Sequence, residues 1–129
     1  MLKKFLKNLN TNQRKMSNII TSEIKFVVEL DENRVPEKLT WTAQDGGVQL
    51  EETKAILLSV WDSKANETLR IDLWTKDFLT DEMKQFYHQC LLSMADTFER
   101  ATGETETAKE MRGFAQHFGE KMNLIVKKG

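Results

Sequence analysis

Few side chains in this sequence have the type and spacing for chemistry. His88 and Cys90 stand two apart, and on a helix that spacing points them in different directions. His117 lies far along the chain. A Cys90–His117 nucleophile and base would need two helices folded back on each other, and no third group is placed to orient the base. Cys90 also falls on an apolar stripe, where a small core residue is expected rather than a reactive thiol. There is no H-E-x-x-H, no paired Cys-x-x-Cys and no acidic calcium loop, so no metal site is expected. Gly46-Gly47 is a turn signal, not a phosphate loop, and Glu51-Glu52 and Asp81-Glu82 read as solvated acids. Asn66-Glu67-Thr68 fits a glycosylation sequon, but nothing else points to secretion. The expectation is a protein with no catalytic residues, no cofactor and no metal, and therefore not an enzyme.

The stretch VWDSKANETLRIDLWTK (60–76) is the candidate for recognition instead. AILLSVWD (55–62) is nearly continuous apolar and LRIDLW (69–74) alternates, which suits two strands joined by the loop Ser63–Thr68. Pairing Val60 with Ile71 and Leu58 with Leu73 puts Ile56, Leu58, Val60, Leu69, Ile71 and Leu73 on one face. Leu57, Ser59, Trp61, Arg70, Asp72 and Trp74 fall on the other, because a one-residue slip would turn every side chain over. In that register Trp61 faces Arg70, a cation–π pair worth about 0.5–1 kcal/mol when exposed. The first face is expected to meet helices. The second, two indoles rimmed by charge, has the character of an interaction surface. Leu57, Trp61, Arg70, Asp72 and Trp74 are therefore the expected partner-binding residues, with homo-oligomerisation through the sheet face included.

The elements around this stretch follow from period. SEIKFVVELD (22–31) sets Ile24, Phe26, Val28 and Leu30 on one side of a strand. Glu32-Asn33-Arg34 turns the chain, Pro36 opens the next segment, and KLTWTA (38–43) alternates again. Asp45-Gly46-Gly47 is a second turn. After Thr80, an expected N-cap, the period becomes helical: Met83, Phe86, Tyr87, Cys90, Leu91, Met94, Phe98 and Ala101 share a stripe that stops at Thr102-Gly103. Ala108, Met111, Ala115, Phe118, Met122 and Ile125 form a second stripe, interrupted by Gly113 and Gly119. Strands followed by helices indicate an α+β fold: a four-stranded antiparallel sheet followed by two helices packed on one face.

The 129 residues are 40% apolar and 30% charged, enough for one ordinary core. The expected organisation is a single domain over 16–129 after a basic, unstructured extension over 1–15, with Met16-Ser17 as an alternative natural start. In the extension, Leu2, Phe5, Leu6 and Leu9 sit at helical spacing among lysines. Membrane contact is therefore expected only if residues 1–15 are expressed. Those residues hold five basic and no acidic side chains, leaving fourteen basic against twenty acidic in the rest. A domain of that charge repels phosphate backbones, which excludes nucleic acid as a partner. No apolar run approaches the roughly 20 residues of a membrane-spanning helix. The single cysteine asks for no oxidising compartment, which fits a cytoplasmic protein.

The strings SEIKFVVELDENRVPEKLTW, DGG, LSVWDSKANETLRIDLWTKDF, DEM and SMADTFERAT resemble the gliding-motility protein GldC family of Bacteroidetes, over roughly residues 17 to 124. The resemblance implies a small soluble cytoplasmic accessory of the gliding machinery, which is coupled to the type IX secretion system. It implies no enzyme activity and carries no catalytic residues. The layout of strands then helices is also similar to the subunit of the export chaperone SecB. That likeness of layout alone suggests, as an alternative, a holdase for exported gliding or secretion components.

Overall fold

The chain between Ile24 and Trp74 forms five strands, and the helical period after Thr80 produces two helices. In chain order these are β1 (Ile24–Leu30), β2 (Pro36–Ala43), a single 3-10 turn (Gln44–Gly46), β3 (Val48–Thr53), β4 (Ala55–Asp62), β5 (Glu67–Trp74), α1 (Thr80–Thr102) and α2 (Thr105–Lys121). The structure, a computed structural model, describes residues 18–127. The basic amphipathic pattern in 1–15 and the alternative start at Met16 lie outside those residues. The described residues up to Phe78 and those from Leu79 form two compact units.

The α+β class is as expected, but the strands do not make one four-stranded sheet. They form two antiparallel sheets, β1-β2-β3 and β4-β5. The additional strand is β3, VQLEET, whose adjacent acids and scant apolar content give little sign of a strand. Its pairing with β2 overrides that local preference, with Leu39 opposite Thr53 and Trp41 opposite Glu51. The chain bends at Lys54 between β3 and β4, so the two strands join separate ladders.

Within the first sheet the expected faces hold. Ile24 lies opposite Ala43, Phe26 opposite Trp41 and Val28 opposite Leu39. The Phe26 and Trp41 rings stack with centroids 6.1 Å apart and planes 10° apart, a cross-strand pair that pins this register. Leu39 is fully buried, and Ala43 and Val48 are buried against each other with Trp41 alongside. The β1–β2 turn is built locally: the Asp31 carboxylate accepts the N–H groups of Asn33 and Val35 at 2.8 and 2.9 Å. Gly47, at φ +75°, supplies the left-handed residue that ends the 3-10 turn.

The helical unit follows its stripes, with two corrections. The N-cap is Leu79 rather than Thr80; its N–H is taken by the Glu82 carboxylate at 3.3 Å, so the acid three residues on does the capping. The second stripe leaves the helix before Ile125. Asn123 turns left-handed at φ +59°, and Leu124 N–H returns to the Gly119 carbonyl at 2.8 Å. At the end of α1, Gly103 at φ +74° donates its N–H to Glu99, the expected stop. The helices are linked by Arg112, whose guanidinium reaches Asp96 at 2.9 Å and Glu99 at 2.6 Å, and by parallel stacking of His88 on Phe118.

The two helical glycines have different reasons. A Cβ at Gly113 would meet nothing within 4 Å, whereas one at Gly119 would lie 2.8 Å from both His88 Nε2 and Ile125 Cδ1. Gly113→Ala should raise stability in urea unfolding by about 0.5–1 kcal/mol, through helix propensity alone. Gly119→Ala should lower it by about 1–2 kcal/mol, because the crowding outweighs that gain.

Candidate interaction face on the β4–β5 hairpin

The hairpin begins with local chemistry at its turn. Asp62 Oδ1 accepts the Lys64 N–H at 3.0 Å, and Asn66 takes the left-handed region at φ +56°. From there β4 and β5 pair without interruption from Asp62 opposite Glu67 to Ala55 opposite Trp74. This register is two residues away from the expected one: Val60 faces Leu69, and Leu58 faces Ile71. A shift of two preserves every face but changes every partner. Trp61 therefore lies opposite Thr68, and Arg70 lies opposite Ser59. The expected facing Trp61–Arg70 pair is replaced by a polar one. The tighter turn, with Glu67 and Thr68 drawn into the ladder, is the cause.

The candidate residues do come together. Leu57, Trp61, Arg70, Asp72 and Trp74 all share one face, with Leu57 directly opposite Asp72. Trp61 is 60% exposed and Trp74 53% exposed. Between them Arg70 donates from Nη2 to Asp72 Oδ1 at 3.0 Å and from Nη1 to Ser59 Oγ at 3.0 Å. An exposed pair of this kind adds little stability. It does leave both charges satisfied within the face, so covering them costs less than covering two lone ions. The result is a strand face with an indole toward each end and a self-paired charge between. On the reverse face Ile56 is buried, while Val60, Leu69 and Ile71 are each more than half exposed.

One neighbourhood of this face has no signature in linear sequence. Arg34, Val35 and Pro36 from the β1–β2 turn line a shallow pocket of about 250 Å³ with Asp72, Leu73 and Trp74. Lys76, just past β5, braces the same junction by reaching Asp31 at 2.8 Å and Glu37 at 3.3 Å. The Lys76 hydrogen bond, helped by the backbone N–H of Val35, holds the Asp31 carboxyl below the usual carboxylate range. Among the described residues no group of three or more His, Cys, Asp and Glu could hold a metal ion. Nor is any described helix long and apolar enough to cross a membrane.

Residues 36–124, from the first residue of β2 to just past α2, match the family described as "Gliding motility-associated protein GldC-like". The chain belongs to the GldC-like family. Its association is therefore with gliding motility, and the resemblance read from the sequence strings is confirmed. The search of curated proteins and the search of solved structures gave no match. The family match encloses the whole β4–β5 hairpin.

Replacing both Trp61 and Trp74 with serine should change unfolding free energy by no more than about 1 kcal/mol, because each indole is more than half exposed. A larger loss in urea titration would make them core residues. Asp31 should titrate below the ordinary carboxylate range by carbon-13 NMR, and Lys76→Gln should raise its pKa. Because the folded value is depressed, the stabilisation is present above the unfolded pKa and is lost as pH falls through the folded one. The variant should therefore show a shallower loss of stability on acidification.

Proposed function

We propose that this GldC-like protein is a non-enzymatic, cytoplasmic adaptor of gliding motility. It docks a protein component of the gliding and type IX secretion machinery through the Leu57/Trp61/Arg70/Asp72/Trp74 face. The observation that carries the reading is the pair of tryptophans, both more than half exposed on one face of the hairpin beside a satisfied Arg70–Asp72 pair. Exposed indoles on a rigid strand are the side chains that most often anchor protein interfaces. The family's association with gliding motility names the setting.

The test uses a gliding strain in which Trp61→Ser/Trp74→Ser replaces the native gene. The variant protein should accumulate to the native level and keep its circular dichroism spectrum, while gliding is lost. Affinity capture with the native protein should retain a component of the motility or secretion machinery that the variant does not retain. Normal gliding by the folded variant would sink the docking role. Suppression of aggregation of an unrelated denatured protein would replace the adaptor with a SecB-like holdase, which binds many clients.

A further inference from the structure

The backbone of β4 presents an edge that the rest of the described chain does not pair. The sheet that contains it holds only β4 and β5. The Thr75 N–H donates to the Lys54 carbonyl at 2.9 Å, which fixes the phase of the ladder. In an antiparallel pair the N–H and C=O of one residue point to the same side, and the side alternates along the strand. The pairing of β4 with β5 has no bulge. The peptide groups of Ile56, Leu58 and Val60 therefore point at β5, and those of Ala55, Leu57, Ser59 and Trp61 point outward. The Ala55 carbonyl takes the Thr53 hydroxyl at 3.2 Å and keeps a second lone pair.

Exposed edges normally carry guards: charge, proline, or a bulge that twists the edge away. The other edge strands have them. β1 carries Lys25 and Glu29 with a register shift after Glu29, β3 carries Glu51 and Glu52, and β5 carries Glu67, Arg70 and Asp72. β4 has none from Ala55 to Trp61. Its uncharged run is bracketed instead by Lys54 on one side and Asp62 on the other.

We propose that the protein forms a two-fold dimer in which β4 pairs antiparallel with β4 of a second copy, centred on Leu58. This inference stands apart from the docking role above and does not rest on it. Centring on Leu58 sets Ile56 opposite Val60 of the copy and Leu57 opposite Ser59. It also sets Lys54 opposite Asp62 of the copy, twice by symmetry. An identical strand is thus complementary in charge at both ends and free of charge between them. Centring on Ser59 instead would set Lys54 against Lys64, a like-charge contact. The Leu58 register keeps each face continuous across the axis, as matched faces require. The Val60, Leu69 and Ile71 faces of the two hairpins then join into one sheet of four strands. On the opposite side Trp61 of the copy falls beside Ala55, whose own partner is Trp74.

The experiment is sedimentation velocity on the full chain over roughly 1 to 300 µM, with amide exchange read by NMR. A concentration-dependent dimer is expected, in which the amides of Leu57, Ser59 and Trp61 become protected as it forms. Ser59→Pro removes an outward N–H and the exposed Arg70–Ser59 side-chain bond but no backbone hydrogen bond of the β4–β5 ladder, and should weaken dimerisation at least about tenfold with an unchanged circular dichroism spectrum. Lys54→Glu and Asp62→Lys should each weaken it, and the two together should restore it, because the charges have exchanged places. The charge series decides the matter even where Ser59→Pro is unfolded. A monomer at all concentrations overturns the proposal. So does a dimer in which those three amides exchange freely, and a dimer whose strength the single charge variants leave unchanged overturns the Leu58 register.

Discussion

The uninterrupted antiparallel ladder between β4 and β5 is the constraint on which the rest of this molecule's surface chemistry depends. Once Thr75 is tied to Lys54, every side chain along the hairpin is assigned to a face and every peptide group to a side. The indoles of Trp61 and Trp74 are then held on the same side as the Arg70–Asp72 pair. No specialised chemistry is needed for this. Alternation, a turn closed by Asp62 and the left-handed Asn66 suffice.

The second structural theme is local closure at turns and helix ends. Asp31, Asp62 and Glu82 each use a carboxylate to take backbone N–H groups near their own position in the chain. These three acids thus serve to end and start elements. Arg112 and Lys76 use acids to tie segments distant in sequence, Arg112 through Asp96 and Glu99 across the helical pair and Lys76 from beyond β5 back to Asp31 in the first turn.

How much of the hairpin was legible depends on the kind of information each feature needs. The face of each side chain follows from parity, and parity is written in the alternation of LRIDLW and the run AILLSVWD. The partner of each side chain depends on turn length, and spacing alone puts the loop at Ser63–Thr68, two residues longer than it is. That moved Arg70 from Trp61 to Ser59 while leaving both on the same face. β3 is hidden in the sequence because Glu51 and Glu52 mask its alternation, and only pairing with β2 makes it a strand. Ile125 was placed on a helix because its spacing fits. The left-handed Asn123 carries it off the axis and back onto Gly119.

Sequence by itself determined four of the five strands and both helices, the turn residues, the stop at Gly103, the family and the face that Trp61 and Trp74 share. Those properties depend on neighbours within a few positions, where backbone sterics and side-chain period act directly. Only the tertiary structure decided that the strands divide into two sheets at Lys54, that Arg34 and Pro36 line one pocket with Trp74, and that a Cβ would be crowded at Gly119 and free at Gly113. Each of those depends on a contact between segments far apart in the chain, and the chain's local composition carries no record of such a distance.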